Sequence, residues 1–293
     1  MQLTVVVPTR NEADNVVPLV ARTSAALAPL GLRWEIVFVD DSDDATPHRI
    51  AQARRSGHPV RLLHRPVEER SGGLGSAVAL GFERSAASDV LVVMDADLQH
   101  PPEALSALVS AVCGGDAELA IASRAARLGN GGSGPTSWWR GFVSRSARAL
   151  VYALFPHLRH VADPLAGFFA VRRSVLADTY LRPEGFKILL EVLVRGAWTR
   201  IVEIPCELDP RLHGRSKAHL GQGVAFARHL LRLRGTATDH PTPPASAKTP
   251  PLRTDERGRR DVPRPPRQRS DNGPVSGNFS VMRMIGRWPA NMR

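Results

Sequence analysis

Short apolar runs alternate with segments of helical character through most of the chain. Four runs have the length and continuity of strands that are buried on both faces: Leu3–Val7, Glu35–Val39, Val60–Leu63 and Val90–Met94. The segments between them are the predicted helices Asn11–Leu27, Thr46–Arg55 and Ser76–Ser85. This alternation predicts an α/β fold, with a mostly parallel sheet that is flanked by helices and joined by right-handed crossovers.

The second half of the chain continues with a less regular alternation. Its predicted strands are Glu118–Ala122, Gly167–Arg172 and Ile201–Cys206, and its shorter predicted helices begin at Pro102 and Ile188. Two longer segments, Trp138–Phe155 and Ala218–Arg234, mix large apolar residues with arginines. Such amphipathic helices are typical of a membrane interface, but the same pattern also suits a helix that packs on a protein core with its arginines in solvent.

Polar residues cluster where three of the predicted strands end. The clusters are Pro8–Glu12, Asp40–Asp44 and Asp95–Gln99. Because the carboxyl ends of parallel strands meet at one edge of a sheet, we expect the clusters to share a site. Carboxylate oxygens select a hard cation such as Mg²⁺ or Mn²⁺, although Asp95 and Asp97 would also suit a simple helix cap before Pro101. The convergence of three clusters favours the ligand site.

Charge and composition divide the chain near residue 235. The 293 residues are 43% hydrophobic, which is enough for a core, and they carry a formal charge of +11. Residues 236–293 hold 11 Lys and Arg, 5 Asp and Glu, and 10 of the 24 prolines. We therefore predict a folded domain over 1–235 and a disordered basic tail over 236–293. Charge alone fits a phosphorylated substrate, an anionic membrane or nucleic acid.

The cysteines and the apolar runs bear on location. Cys113 and Cys206 stand in apolar surroundings without metal-ligand spacing, which indicates reduced thiols in a cytoplasmic protein. The N-terminus lacks a signal-peptide pattern, and no apolar run approaches the roughly 18–20 residues that a transmembrane helix needs. We expect any membrane contact to be peripheral or to be supplied by a partner.

Seven stretches of the chain match known motifs in order. They are Val6–Glu12, Val39–Thr46, Gly73–Ala77, Asp95–Glu103, Ser123–Arg124, Asp163–Ala170 and Arg211–Lys217. Together they resemble the family 2 glycosyltransferases of GT-A (Rossmann-like) fold, and within that family the dolichol- or polyprenol-phosphate mannosyltransferases. The Asp-Ala-Asp-Leu-Gln-His-Pro-Pro block at 95–102, combined with the Arg-x-x-Gly-x-Ser-Lys block at 211–217, is highly specific. The resemblance implies that 1–235 is a GT-A catalytic domain.

The resemblance implies a nucleotide-sugar donor, with GDP-mannose favoured. The donor-site residues that it implies are Pro8, Arg10, Glu12, Asp40, Asp41, Asp95, Ala96, Gln99 and Lys217. Asp95, Asp97 and Gln99 would hold Mg²⁺ or Mn²⁺ together with the diphosphate. Asp97 is an expected catalytic residue, because the cation neutralises charge on the leaving nucleoside diphosphate.

The acceptor that the resemblance implies is polyprenyl phosphate. A phosphate monoester has a second pKa of about 6, so it is largely ionised at pH 7 and attacks without a protein base. The site then needs cations, and the implied acceptor-phosphate residues are Arg124, Arg140, Ser144 and Arg211, of which Arg124 and Arg211 are also expected to be catalytic. Attack opposite the leaving group predicts inversion. The lipid tail of the acceptor predicts a peripheral enzyme on the inner face of the membrane.

Two departures from the family pattern stand out. Ala166 replaces a serine that is frequent in the family. The tail stands where many relatives have transmembrane helices, so attachment to the membrane through a membrane-bound partner protein is an open alternative. One alternative is an enzyme of the same fold that uses UDP-glucose or another nucleotide sugar as donor. Another is an enzyme of the same fold with a saccharide acceptor, for which Asp163 is the best candidate base. An alternative of another class is a non-catalytic nucleotide- or nucleic-acid-binding protein, although we expect no nucleic-acid partner.

Overall fold

The computed structural model describes residues 1–123, 137–177, 179–181, 187–207 and 221–235, without the side chains of 137–145 and 221–225. Several sequence-based predictions fall outside these residues. They concern Arg124, Arg211, Lys217, the side chains of Arg140 and Ser144, and the tail 236–293.

The described elements follow the predicted order. The strands are β1 (Gln2–Thr9), β2 (Arg33–Asp40), β3 (Val60–His64), β4 (Val90–Val93), β5 (Leu119–Ser123), β6 (Phe169–Arg172) and β7 (Ile201–Pro205). The α-helices are α1 (Ala13–Leu27), α2 (Thr46–Arg55), α3 (Gly73–Glu83), α4 (Leu105–Cys113), α5 (Ser137–Leu154), α6 (Ile188–Arg195) and α7 (Gly221–Arg234). Short 3₁₀ helices include Val67–Glu69 before α3 and Pro102–Ala104 before α4.

The seven described strands form one mixed sheet in the order β3-β2-β1-β4-β6-β5-β7. β1 runs parallel to β2 and β4, β2 runs parallel to β3, and β5 runs parallel to β7. The prediction of a mostly parallel sheet flanked by helices is confirmed. β6 is antiparallel to both of its neighbours, β4 and β5, and the sequence pattern did not indicate this reversal.

The direction of β6 brings the loop before it to the edge where the parallel strands end. Val93 at the end of β4 pairs with Phe169 at the start of β6. The segments beyond this pair, after β4 and before β6, also lie close together. A Cβ atom added to Gly167 would lie 3.3 Å from the Oδ2 atom of Asp95. The loop that enters β6 therefore shares an edge with the polar clusters.

Two apolar layers cover the two faces of the sheet. Alternate residues of a strand point to opposite faces, so Val5 and Val7 of β1 pack with the layer that contains α1, α2 and α4. Val6 packs with the other layer, which contains α3 and α6 and also buried residues of α5 and α7. Both layers support the strand ends that carry the polar clusters.

α7 combines an exposed face with a face that packs on the protein core. Leu230 and Leu233 are fully buried, whereas Leu231 is 66% exposed. Among its described side chains, those of Ala227, Arg228, Leu231 and Arg234 are exposed to solvent. An interface role for this helix stays a prediction, and that face is the part available for it. No helix among the described residues is both long enough and apolar enough to cross a bilayer.

A buried ionic cluster also joins α7 to α6. Glu191 of α6 is 1% exposed, and its Oε1 atom lies 3.4 Å from Nη2 of Arg232 and 3.7 Å from Nδ1 of His229. Burial lowers the pKa of His229, and the positive charge of Arg195 lowers it further. The contact between the two helices therefore depends on charge as well as on apolar packing.

α3 packs tightly on the sheet at Gly81, which generates a prediction about stability. A Cβ atom at this position would overlap Cγ1 of Val6 and lie 3.2 Å from Cγ2 of Val39. Overpacking costs about 1–3 kcal/mol, whereas the better helix propensity of alanine returns at most about 1 kcal/mol. We expect Gly81→Ala to lower the free energy of unfolding by about 1–2 kcal/mol, as measured by urea denaturation followed by circular dichroism.

The matched control is Glu83→Ala, which shortens an exposed side chain of the same helix. We expect this control to change the free energy of unfolding by less than about 0.5 kcal/mol. A Gly81→Ala variant that is as stable as the wild type would contradict the close packing of α3 on β1.

Candidate active site

Two adjoining cavities lie at the edge where the parallel strands end, and Asp95 and Leu74 line both. The larger cavity has a volume of about 260 Å³ and contains seven of the predicted site residues: Pro8, Arg10, Glu12, Asp41, Asp95, Ala96 and Asp97. The smaller cavity has a volume of about 220 Å³, and its predicted site residues are Asp95 and Gln99. The described polar clusters therefore do converge, with Asp95 at the junction.

Asp40 lies behind the larger cavity and does not line it. The residue is completely buried, and its Oδ1 atom accepts hydrogen bonds from Oγ1 of Thr9 at 2.7 Å and from Oγ of Ser42 at 2.6 Å. Its Oδ2 atom lies 2.7 Å from Nδ1 of His64. Asp40 thus ties together the ends of β1, β2 and β3. The sequence placed Asp40 among the donor-site residues. In the structure it supports the strand ends and does not line the cavity.

Asp41 lines the larger cavity and forms a bidentate ion pair with Arg65. Nε of Arg65 donates to Oδ1 at 2.7 Å and Nη2 donates to Oδ2 at 2.6 Å. The side chain of Arg65 is only 3% exposed and that of Asp41 is 11% exposed. Removing two charges from water is costly, and this geometry offsets much of that cost.

Arg65 also fixes the glycine-rich segment that opens α3. Its Nη1 atom donates to Oγ of Ser76 at 2.7 Å and to the carbonyl of Glu69 at 3.1 Å. Its Nη2 atom donates to the carbonyl of Gly73 at 3.2 Å. Gly72 and Gly73 have φ values of 85° and 61°, a region that favours glycine. One buried guanidinium therefore links the cavity carboxylate to the loop on the other side of the cavity.

The loop after β1 is held by the loop after β2. Asn11 has a φ of 56°, which is uncommon outside glycine but tolerated by asparagine. Its N–H group donates to Oγ of Ser42 at 2.7 Å, and its side-chain Oδ1 accepts from the N–H group of Asp43 at 3.0 Å. These bonds determine where the neighbouring Arg10 and Glu12 enter the cavity.

The exposed rim of this region carries a second arginine–aspartate pair. Nη1 of Arg70 donates to Oδ1 of Asp43 at 2.7 Å. This hydrogen bond, opposed in part by desolvation, keeps the pKa of Asp43 below its usual value. The Asp43 side chain is 61% exposed, so the pair is screened by water and contributes much less than the pair of Arg65 and Asp41.

The segment after β4 has an unusual backbone. Leu98 is fully buried and has a φ of 59°, a conformation that a bulky residue rarely adopts. The N–H group of Gln99 donates to Oδ1 of Asp97 at 3.1 Å, which orders the turn. Anchoring Leu98 in the core holds Asp97 and Gln99 on either side of it at the cavity edge.

This donor set fits a magnesium-type ion that also binds a substrate phosphate. Among the described residues no three His, Cys, Asp or Glu side chains form a ready-made metal site. Asp95, Asp97 and Gln99 supply two carboxylates and one amide, all of them oxygen ligands. Mg²⁺ typically takes one or two carboxylates and completes its shell with water and substrate phosphates, so the described set is sufficient.

The loop before β6 packs against Asp95. Gly167 leaves room beside the Asp95 carboxylate, and His100 fills the adjacent space with its ring centroid 5.2 Å from that of the buried Phe168. Nδ1 of His100 lies 3.6 Å from Oδ2 of Asp95. His100 thus supports Asp95 from the side and also lines the smaller cavity.

Asp163 is buried and does not line the smaller cavity. It is 5% exposed and is not among the residues that line either cavity. The N–H groups of Ala162 and Asp163 donate to the Glu203 carboxylate at 2.7 and 3.0 Å, and the Tyr152 hydroxyl donates to the carbonyl of Val161 at 2.6 Å. The segment that carries Asp163 is therefore clamped between α5 and β7.

Three residues at the site were missed from the sequence: Arg65, His100 as a cavity residue, and Lys187. Arg65 stands two residues after a predicted strand, as Asp41 does, and that position at the sheet edge was the available signal. Lys187 lines the smaller cavity, and its Nζ atom donates to the carbonyl of Leu165 at 2.9 Å. It stands just before a predicted helix, where a lysine is usually an ordinary surface residue.

Comparison with known proteins identifies similar sequences. The family model described as glycosyl transferase family 2 matches residues 4–180. The chain is 39% identical to a dolichol-phosphate mannosyltransferase of Pyrococcus furiosus over 233 residues, which cover 80% of this chain and 64% of that protein. It is 33% identical to the dolichol-phosphate mannosyltransferase of Saccharomyces cerevisiae, over 80% of this chain and 86% of that protein. The chain thus spans a little under two thirds of the Pyrococcus relative.

Solved structures are similar in fold. Glucosyl-3-phosphoglycerate synthase from Mycobacterium tuberculosis, in complex with Mn²⁺, UDP and glucosyl-3-phosphoglycerate, superimposes with a TM-score of 0.59 at 23% identity. The match covers 82% of this chain and 81% of that chain. The same enzyme in complex with Mg²⁺ and UDP gives a TM-score of 0.55 at 21% identity. These likenesses confirm the predicted GT-A fold.

The pair of Arg65 and Asp41 generates a prediction about stability. Removing one partner of a buried ion pair leaves an uncompensated charge and costs about 3–5 kcal/mol. We expect Arg65→Gln to lower the free energy of unfolding by about that amount in urea denaturation. Arg70→Gln, which breaks the pair with the 61% exposed Asp43 in the same region, is the matched control and should have a smaller effect.

A double variant separates charge from packing. Because Asp41→Asn removes the unpaired carboxylate, adding it to Arg65→Gln should recover part of the lost stability. Equal losses for Arg65→Gln and Arg70→Gln would contradict the assignment of Arg65 as the buried support of the larger cavity.

Proposed function

The chain belongs to glycosyl transferase family 2, and on this basis we propose that it transfers mannose from GDP-mannose to polyprenyl phosphate, with inversion at the anomeric carbon. The relatives named dolichol-phosphate mannosyltransferase, which are 33–39% identical over most of this chain, support this choice of substrates. Family membership also favours an enzyme over the alternative of a non-catalytic nucleotide- or nucleic-acid-binding protein.

The observation that carries the proposal is the pair of adjoining cavities that share Asp95. In a nucleotide sugar, a diphosphate connects a nucleoside to a single sugar. The larger cavity offers Arg10, Glu12 and Asp41 as partners for the nucleoside. The shared Asp95 then lies at the position of the diphosphate, and the smaller cavity receives the sugar. The arrangement of the cavities matches the arrangement of the donor.

Asp95, Asp97 and Gln99 hold Mg²⁺ or Mn²⁺ in this proposal. When bound, the ion supplies positive charge to the diphosphate, whose negative charge increases as the sugar leaves. The residues of the chain keep that arrangement in place: Leu98 anchors the turn in the core, and His100 and Gly167 flank Asp95. A fixed geometry of this kind avoids reorganisation during the reaction.

The choice of acceptor follows from the need for a base. A saccharide hydroxyl must lose a proton to a positioned base, and Asp163 was the best candidate for that role. Its burial and its absence from both cavity linings argue against it. A phosphate acceptor needs no base, because it is already ionised at pH 7.

We further propose that Arg124, Arg140, Ser144 and Arg211 bind this phosphate and that Lys217 contacts the donor. We also propose that the enzyme is cytoplasmic and peripheral on the inner membrane face.

The proposal is tested by direct transfer. Purified full-length protein is incubated with polyprenyl phosphate in detergent, with Mg²⁺ or Mn²⁺, and with GDP-mannose, UDP-glucose or other radiolabelled nucleotide sugars, and the lipid is then extracted. We expect mannose to enter the lipid fraction and the product to be the β-anomer. Asp97→Asn should reduce the rate by about 10²–10³-fold, because the diphosphate loses several kcal/mol of stabilisation.

The matched control is Asp116→Asn, which changes an exposed aspartate after α4 and should leave the rate unchanged. Labelling of a soluble glycan without any labelling of lipid would overturn the choice of acceptor. Labelling of lipid from UDP-glucose but not from GDP-mannose would overturn the choice of donor alone.

Gly167 provides a separate test of the metal site. A Cβ atom at this position would lie 3.3 Å from both Oδ2 of Asp95 and Cε1 of His100, so these two side chains would have to shift by a few tenths of an ångström. Displacing the surroundings of a metal ligand commonly costs at least tenfold in affinity. We expect Gly167→Ala to weaken Mn²⁺ binding about tenfold, as measured by electron paramagnetic resonance of free Mn²⁺ in the presence of GDP.

The control for this measurement is Gly235→Ala at the end of α7. An added Cβ atom there would meet its nearest atom at 3.7 Å, an ordinary contact, so Mn²⁺ affinity should not change. Wild-type Mn²⁺ affinity in Gly167→Ala would argue that Asp95 is not a ligand.

A further inference from the structure

Lys187 brings a positive charge into the smaller cavity from the side of α6. It immediately precedes α6 and is half-buried, and it lines the same cavity as Asp95. The transfer reaction as proposed above assigns this lysine no role. A half-buried ammonium that lines the same cavity as Asp95 is a candidate partner for a ligand in that cavity.

The position of the Lys187 ammonium is set by the loop that enters β6. Nζ donates to the carbonyl of Leu165 at 2.9 Å. Two residues later in the same loop, Gly167 lies beside the Asp95 carboxylate, because a Cβ atom added to it would lie 3.3 Å from Oδ2 of Asp95. The loop therefore holds a cation at one point and packs against the acidic group at another. A lysine side chain has many rotamers, and this bond selects among them before a ligand arrives.

The size of the cavity suits one sugar ring. Its volume of about 220 Å³ is roughly seven times the 30 Å³ that one water molecule occupies in the liquid. Much of its wall is apolar or small, including Val93, Ala122 and Ile188, and its polar groups include Asp95, Gln99, His100 and Lys187. A few polar groups placed among apolar walls are the usual means by which a pocket orients a small ligand.

We propose that Lys187 is a specificity-determining residue, whose ammonium group donates a hydrogen bond to a hydroxyl oxygen of the transferred sugar. An ammonium group has three N–H donors, and the bond to Leu165 uses one of them. A hydroxyl oxygen accepts from such a donor, and a charge-assisted bond is about twice as strong as a neutral one. The proposal rests on the function proposed above, because it needs the sugar of the donor to occupy the smaller cavity.

Two other roles for Lys187 lead to different measurements. A contact with the diphosphate would make the lysine important for binding any nucleoside diphosphate, with or without the sugar. A purely structural role, in which Lys187 only ties down Leu165, would affect folding and would not distinguish between ligands. The comparison of a nucleotide sugar with its own nucleoside diphosphate separates these cases.

The experiment compares the two ligands by isothermal titration calorimetry with Mg²⁺ present, using full-length wild type and Lys187→Gln. Glutamine keeps an N–H donor for the Leu165 carbonyl and removes the charge. The loss of a charged hydrogen bond should raise the Kd for GDP-mannose about 10- to 100-fold, whereas the Kd for GDP should stay within about twofold. UDP-glucose and UDP form a second ligand pair for the same comparison.

The matched control is Arg55→Gln, which neutralises an exposed cation at the end of α2 and should change neither Kd. Lys187→Arg provides a second variant in case Lys187→Gln folds poorly. It keeps the charge but moves the donors, so it should also weaken GDP-mannose more than GDP. Thermal unfolding of each variant reports its stability separately.

Equal weakening of GDP-mannose and GDP would overturn the proposal in favour of a diphosphate contact. Unchanged affinity for both ligands, or a drop in melting temperature with no difference between ligands, would overturn it in favour of a structural role. Wild-type protein that binds nucleotide sugars but transfers nothing to polyprenyl phosphate would contradict the proposed function and would leave the comparison of Kd values intact.

Discussion

The carboxylate at the end of β2 imposes a constraint on which the surrounding structure depends. Asp40 is completely buried, and a buried charge without partners costs several kcal/mol. Its oxygen atoms are matched by groups from three places: Thr9 on β1, Ser42 in the following loop, and His64 on β3. Satisfying this one carboxylate therefore aligns three strand ends. The hydrogen bond that the N–H group of Asn11 donates to Oγ of Ser42 then extends the same order to the loop after β1.

The pairing of Asp41 with Arg65 shows how the same requirement shapes the cavity. A carboxylate at a strand end that lines a cavity would be a weakly held group if water were its only partner. The buried guanidinium of Arg65 fixes both oxygens of Asp41 and, through Gly73 and Ser76, the opening of α3. The larger cavity is thus held on two sides before any ligand binds, and this lowers the entropy that binding must offset.

The sequence predicts the strands and helices, which depend on the local hydrophobic pattern. It does not predict strand direction or buried charged side chains, which depend on tertiary neighbours. Every described strand was expected, because apolar runs and their polar ends are local features. The reversal of β6 was not, since Phe169–Arg172 would look the same in a parallel strand. The spacing of Asp95 and Asp97 after β4 marked them as candidate site residues. No such signal marked Arg65 and Lys187, because an arginine or lysine next to a helix or strand is usually solvated. Only tertiary contacts reveal that these two are buried or half-buried.

The balance of charge at the described site favours substrates that arrive with their own cation. Glu12, Asp41, Asp95 and Asp97 line the two cavities together with Arg10 and Lys187, so acidic groups outnumber basic ones. A diphosphate cannot bind beside such carboxylates without compensation, and a divalent ion between them offsets both sets of charges. A phosphate acceptor would add a charge of about −1.5 to −2 at pH 7. The cations for it must come from elsewhere, and the proposed arginines, Arg124, Arg140 and Arg211, all follow β5 in the chain.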